Sequence, residues 1–145
     1  MTSDRKVIGL FEKVAFPEFG NFEAIAKIDT GAFTGAMHCT KIEEIVTTKG
    51  KVVQFSPFDH PEITIQKTNY YIRNVRSSDG KGSKRFFVKT TIELQDKKYP
   101  VVFSLADRSA MKRSVLIGRR FLRKNHFLVD VHKGTQYRNA VKENS

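Results

Sequence analysis

Ile25-Ala26-Lys27-Ile28-Asp29-Thr30-Gly31-Ala32 is a short apolar strand that runs straight into a turn carrying one carboxylate. Strand residues dominate as far as Ile28. Gly31 then supplies backbone freedom where a side chain would obstruct a tight turn or a close neighbour. An Asp at such a junction can be held by backbone amides while its outer oxygen faces a cleft, and Thr30 adds a hydroxyl for nearby buried polar groups. An ordinary Asx-turn at a strand end uses the same three residues. The triplet therefore leaves two readings open, a turn and a catalytic carboxylate, and the rest of the chain has to weigh them.

Outward from that stretch the chain is a series of short strands. Upstream, Lys6 to Phe16 reads as a strand interrupted at Gly9, Pro17 to Asn21 as a turn, and Phe22 to Ile28 as the strand that feeds Asp29. Downstream, Ala36 to Thr48 and Val52 to Phe55 flank a Lys-Gly-Lys turn and predict a β-hairpin. The pattern breaks at Pro57 to Pro61 and resumes at Ile63 to Ile65. Tyr70 to Arg76 and Arg85 to Leu94 enclose the polar, glycine-bearing stretch Ser77 to Ser83. Two long strands joined this way make a projecting hairpin, which either covers a cleft or stands free in solvent. Tyr99 to Leu105, Ser114 to Gly118 and Phe127 to Val131 are further strands, and Arg119 to Lys124 is one or two helical turns. The tail from His132 onward is polar and expected to fray. Many short strands with one short helix near the end predict an all-β closed sheet or barrel. One domain is expected over residues 1–145, with its core at about 6–131.

The chain has 145 residues, enough to bury a real core, and its 39% hydrophobic content with 12 Phe excludes a disordered polymer. A single Cys excludes a disulfide framework and a multi-thiolate zinc site, and suits a reducing compartment. Met1 to Lys6 is polar with no apolar segment of a secretion signal, and no apolar run approaches the length of a membrane span. A cytoplasmic protein without membrane contact is expected. Lys and Arg number 26 against 15 Asp and Glu, a net charge of +11. Such an excess attracts polyanions, whether nucleic acid or an acidic peptide.

Taken together, these segments resemble the single-lobed retropepsin-like aspartic proteases. More closely they resemble the bacterial family called ATP-dependent zinc proteases, which is associated with RimK-type glutamate ligases. The segments that carry the resemblance are IDTGAFTGAMH (Ile28 to His38), RNVRSSDGKGSKR (Arg73 to Arg85), LADRSAM (Leu105 to Met111), VLIGRRFL (Val115 to Leu122) and FLVD (Phe127 to Asp130). They occur in the family's order and cover most of the chain from Lys6 to Asp130. The resemblance implies a retropepsin-like closed β-barrel with a flap hairpin at Arg76 to Arg85 and one short C-terminal helix. It implies Asp29, Thr30 and Gly31 as the catalytic motif. It implies Ala32, Arg76, Ser78, Gly80, Arg85, Arg108 and Arg119 along the substrate. It implies peptide-bond hydrolysis, on glutamate-tailed protein in members linked to glutamate ligases. Two positions depart from the family. Phe33 stands where members carry a polar or charged residue, and Gly35 where they carry Ser. In viral retropepsins an acid at the Phe33 position pairs with the Arg after the late Gly, here Arg119, so Arg119 must find another partner, such as a substrate carboxylate.

Aspartic proteolysis uses two carboxylates that share a proton, because two like charges side by side cannot both ionise. One Asp-Thr-Gly per chain then calls for a symmetric homodimer that joins two copies of Asp29. A monomer would have to recruit Asp107 or Asp79 instead. Basic residues on the hairpin (Arg73, Arg76, Lys84, Arg85, Lys89) and around the late Gly (Lys112, Arg113, Arg119, Arg120, Arg123, Lys124) could grip a glutamate-rich peptide or remain simply solvated. No metal and no cofactor is expected: His38, His60, His126 and His132 lack zinc-ligand spacing, and Gly80-Lys81-Gly82-Ser83 lacks the spacing of a nucleotide-binding loop. Two alternatives stay open. One is a non-catalytic peptide-binding module of the same fold. The other is a basic nucleic-acid-binding β-barrel that stacks bases on Tyr70, Tyr71, Phe86 and Phe87, which leaves the Asp-Thr-Gly unexplained.

Overall fold

The computed structural model describes residues 6–76 and 80–139, the side chains of Val75 and Arg76 excepted. The strands are β1 (Lys6–Ile8), β2 (Phe11–Phe16), β3 (Phe22–Asp29), β4 (Gly35–Thr47), β5 (Gly50–Pro57), β6 (Ile65–Lys67), β7 (Tyr70–Arg76), β8 (Gly82–Leu94), β9 (Lys97–Ala106), β10 (Val115–Gly118) and β11 (Phe127–Val129). One α-helix, α1 (Arg119–Lys124), follows β10 without a break. The one-strand reading of Lys6 to Phe16 divides into β1 and β2. At the break the Gly9 N–H bonds the Glu12 carboxylate, and the Leu10 N–H reaches Lys133 instead of continuing a ladder.

Six strands close on themselves in the order β10, β3, β2, β8, β9, β4 and back to β10. This is the closed barrel that the pattern of short strands predicts. β5 and β6 extend the sheet from β4, β7 pairs with β8 as a hairpin, and β1 lies parallel to β11. Gln95 and Asp96 turn β8 into β9 at positive φ, the twist that two-residue hairpin loops favour. Alternation along the strands sends Val14, Ala26, Met37, Val88, Ile92, Phe103, Val115 and Ile117 into one buried core. In the same core Phe16, Phe19, Phe55 and Phe58 form an aromatic group, with Phe16 edge-on to Phe58 at 5.1 Å.

Beyond Val131 the chain stays tied to the barrel by hydrogen bonds. The Lys133 carbonyl accepts the Leu10 N–H at 2.8 Å, and Thr135–Tyr137 forms a 3-10 turn. Buried Arg113 donates to the carbonyls of Tyr137 and Arg138, and its guanidinium lies 4.4 Å from the Phe11 ring. The tail docks because these carbonyls need a donor and a buried cation needs acceptors. Arg113, grouped with the peptide-gripping cations on sequence, is thereby turned inward. Residues 140–145 of the expected polar tail lie outside the described residues.

Candidate active site

β3 delivers Asp29 to the end of the barrel. Its last residues run parallel to β10, with Ile28 beside Ile117 and Asp29 beside Gly118. The following turn is pinned twice to the start of α1: the Arg119 N–H donates to the Ala32 carbonyl at 2.8 Å and the Arg120 N–H to Phe33 at 3.0 Å. A Cβ on Gly118 would lie 2.6 Å from the Phe33 carbonyl oxygen and 2.9 Å from that of Ala32, so only glycine lets the two segments meet. Gly35, the second departure from the family pattern, is just as constrained, because a Cβ there would lie 2.2 Å from the Leu116 carbonyl oxygen.

Within this frame the Asp29 Oδ1 accepts the Gly31 N–H at 3.1 Å, and the Ala32 N–H bonds the Asp29 carbonyl at 3.2 Å. The second carboxylate oxygen accepts no hydrogen bond among the described residues. The Asx-turn and the displayed carboxylate are therefore one structure. Asp29 is half-buried, whereas Thr30 and Gly31 are exposed.

Arg119 takes a position that the sequence did not specify. Its Nη1 donates to the Gly31 carbonyl at 3.0 Å, and its guanidinium stacks over Phe33 at 5.4 Å. Arg120 lies 5.9 Å from the same ring. Phe33 thus makes two cation–π contacts in place of an ion pair, and the residue stays 53% exposed. Arg108 lies within the electrostatic reach of both Asp29 and Arg85. Burial depresses the Arg108 guanidinium, Arg85 repels it in the same sense, and the Asp29 carboxylate opposes both. Beside the loop a half-open pocket is floored by Val102, Phe103 and Phe121. Lys89, Arg120 and Lys124 rim it, with no acidic residue in the lining.

The other expected residues divide. Ala32 belongs to the pinned turn. Gly80 is exposed, two residues before the return strand, with φ of 82°. Ser78 and Asp79 lie outside the described residues, as does the Arg76 side chain; the Arg76 backbone pairs with Gly82. Asp107 is engaged on its own loop, accepting the Ser109 N–H at 2.9 Å. Among the described residues no three His, Cys, Asp or Glu side chains group to hold a metal. His38 has both ring nitrogens in hydrogen bonds, which leaves neither for a metal. On sequence His38 is weighed as a metal ligand without the spacing for one, and its partners are not foreseen. It is fully buried, its Nδ1 accepts the Arg108 N–H, and its Nε2 meets Asp59. Asp59 and Arg108 lie 21 and 70 residues away along the chain, so no local spacing could signal this cluster.

A family model described as "RimB-like: Retropepsin-like aspartic endopeptidase RimB" matches residues 7–138. Proteins named "Probable alpha-L-glutamate ligase" are 29% identical in Shewanella pealeana, over 90% of this chain and 29% of theirs, and 29% identical in Desulfotalea psychrophila, over 79% and 26%. The chain thus spans less than a third of the length of these curated relatives. A solved protein of unknown function from Legionella pneumophila superposes with a TM-score of 0.70 at 25% identity, over 90% of this chain and 95% of that one.

Proposed function

Because the chain belongs to the RimB-like family of retropepsin-like aspartic endopeptidases, we propose that it hydrolyses peptide bonds in acidic, glutamate-rich protein tails with Asp29 as the catalytic carboxylate. The observation that carries this reading is the Asp29 carboxylate itself, one oxygen fixed by the Gly31 N–H and the other accepting no hydrogen bond among the described residues, with Arg108 within its electrostatic reach. In a symmetric homodimer two such carboxylates meet and hold one proton between them. The ionised one takes a proton from water as its oxygen attacks the scissile carbonyl carbon. The protonated one polarises the carbonyl oxygen and then supplies the proton with which the amine leaves. The titration of such a pair belongs to both carboxylates together.

Substrate charge follows from the surroundings. Arg108, within the electrostatic reach of Asp29 and Arg85, and the acid-free rim of Lys89, Arg120 and Lys124, favour carboxylate side chains over cationic ones. The relatives' name concerns alpha-L-glutamate, which fits a functional link to a RimK-type glutamate ligase whose products this chain trims. A second reading is favoured by those same relatives, which are named for ligation: the domain recognises glutamate tails without cutting them.

Mass spectrometry of glutamate-tailed peptides incubated with wild type and Asp29→Asn separates the readings. Cleavage by wild type alone, with a loss of roughly a thousandfold or more in the variant, supports the peptidase. Equal cleavage by both overturns the aspartic mechanism. Binding by both without cleavage supports the recognition module.

A further inference from the structure

We propose that His38, backed by Asp59, is a positioning residue that holds Arg108 ready for a substrate carboxylate by presenting one defined ring tautomer. The proposal rests on the reading of Arg108 as a substrate contact.

The backbone of His38 is clamped on both sides, its N–H donating to Ser114 at 2.8 Å and its carbonyl accepting the Phe58 N–H at 2.9 Å. The ring, with no solvent exposure, therefore has one place to go. Its Nδ1 lies 2.8 Å from the Arg108 amide nitrogen. A backbone N–H can only donate, so Nδ1 must present its lone pair, and the ring proton must sit on Nε2. That nitrogen is 2.7 Å from the Asp59 carboxylate, which accepts the proton's hydrogen bond and fixes the tautomer. A directed relay results, from the Arg108 N–H through the imidazole to Asp59. Protonation of Nδ1 would remove the acceptor that Arg108 uses.

The charged groups facing the ring are Asp59 after β5, and Asp107 and Arg108 after β9. Asp107 Oδ1 is 3.8 Å from Nδ1, beyond hydrogen-bond reach. From the same loop, ahead of β10, Arg113 contributes its carbonyl, which accepts the Arg108 Nε–H at 3.1 Å. Arg108 is thus fixed at its amide by His38 and at its Nε by Arg113, while its guanidinium interacts with Asp29 and Arg85. The segment 107–114 contains no strand or helix; the backbone bond from His38 to Ser114 holds its far end, and the His38 ring holds the Arg108 end. An ångström of error in Arg108 would weaken bidentate carboxylate binding far more than it would weaken the fold.

The test uses the two amides that each imitate one ring nitrogen, in the full chain with Asp29→Asn present to prevent turnover. Asn places a carbonyl oxygen where Nδ1 stands, and Gln places an N–H where Nε2 stands. Affinity for a fluorescent glutamate decapeptide is the readout, with melting temperature as the check on folding. His38→Gln is expected to weaken binding about tenfold, as Arg108→Gln does, with no further loss in the double variant. His38→Asn is expected to restore most of the affinity. Normal binding by folded His38→Gln, or full additivity with Arg108→Gln, overturns the proposal. Absence of peptide binding by the parent protein counts against the substrate reading instead. The tautomer is then read directly from the 15N shifts of the His38 ring: a neutral Nε2–H form supports the relay and a proton on Nδ1 overturns it.

Discussion

Single atoms decide how the Asp29 loop is held. Gly118 has no room for a methyl group against the Ala32 and Phe33 carbonyls, so Gly118→Ala should cost about 1–3 kcal/mol through backbone displacement. A thermal melt checks the loss, and an unchanged melting temperature would mean that the loop gives way freely. Cys39, buried in the core, has its thiol pushed well above the ordinary range by desolvation, opposed only by a hydrogen bond from the Phe58 backbone. It should resist iodoacetamide at pH 8 while folded and react once denatured. Modification of native protein would contradict the packing around it. At this scale the sequence exposed Asp29 and Gly31, because a strand-ending Asx-turn is a local structure. It could not expose the partner of Arg119, because a guanidinium reaches 88 residues back along the chain to the Gly31 carbonyl.

Elements are tied together by a few polar side chains that cross between them. Glu18, in the short turn Pro17–Phe19, accepts from Lys67 at 2.8 Å and from Thr90 at 2.8 Å, with Thr91 at 3.4 Å. Partial burial works to raise its carboxyl, but these bonds to the ionised form outweigh it, so the group titrates below its usual 4.5. A depressed carboxylate stabilises the fold above its unfolded pKa, and that contribution is lost as pH falls through the folded value. Glu18→Gln should therefore be less stable than wild type at pH 7 by no more than about 1 kcal/mol, since the side chain is part-exposed. The two melting curves should converge as the pH falls below the usual carboxylate range. Arg113 makes the corresponding tie for the tail. Arg113→Ala should cost about 2 kcal/mol and speed hydrogen exchange at Leu10 and Arg138, because two carbonyls lose a charged donor. Strands were legible where the chain buries apolar side chains, as at Phe22–Asp29 and Lys97–Ala106. The docked tail was not legible, because its composition is that of a solvated segment and its partners lie on β2 and in the loop before β10.

The whole molecule brings charge and symmetry together. With a net charge of +11, binding of an acidic peptide should weaken steeply as salt rises from 50 to 500 mM, whereas a neutral peptide of equal length should show little change. If each half of the site comes from one chain, mixing and re-equilibrating equal amounts of wild type and Asp29→Asn should leave about a quarter of the dimers with two carboxylates. Specific activity per wild-type chain should then fall by about half, and an unchanged value would argue for a self-contained monomer. The sequence by itself determined the strand-rich class, the single short helix, the family and the carboxylate, because each is written in residues within a turn or an alternating run. Tertiary structure alone decided the closure of the barrel through β10, the stacking of Arg119 on Phe33, and the His38–Asp59 support of Arg108. Those depend on contacts between residues tens of positions apart, where no periodicity or spacing along the chain records who meets whom.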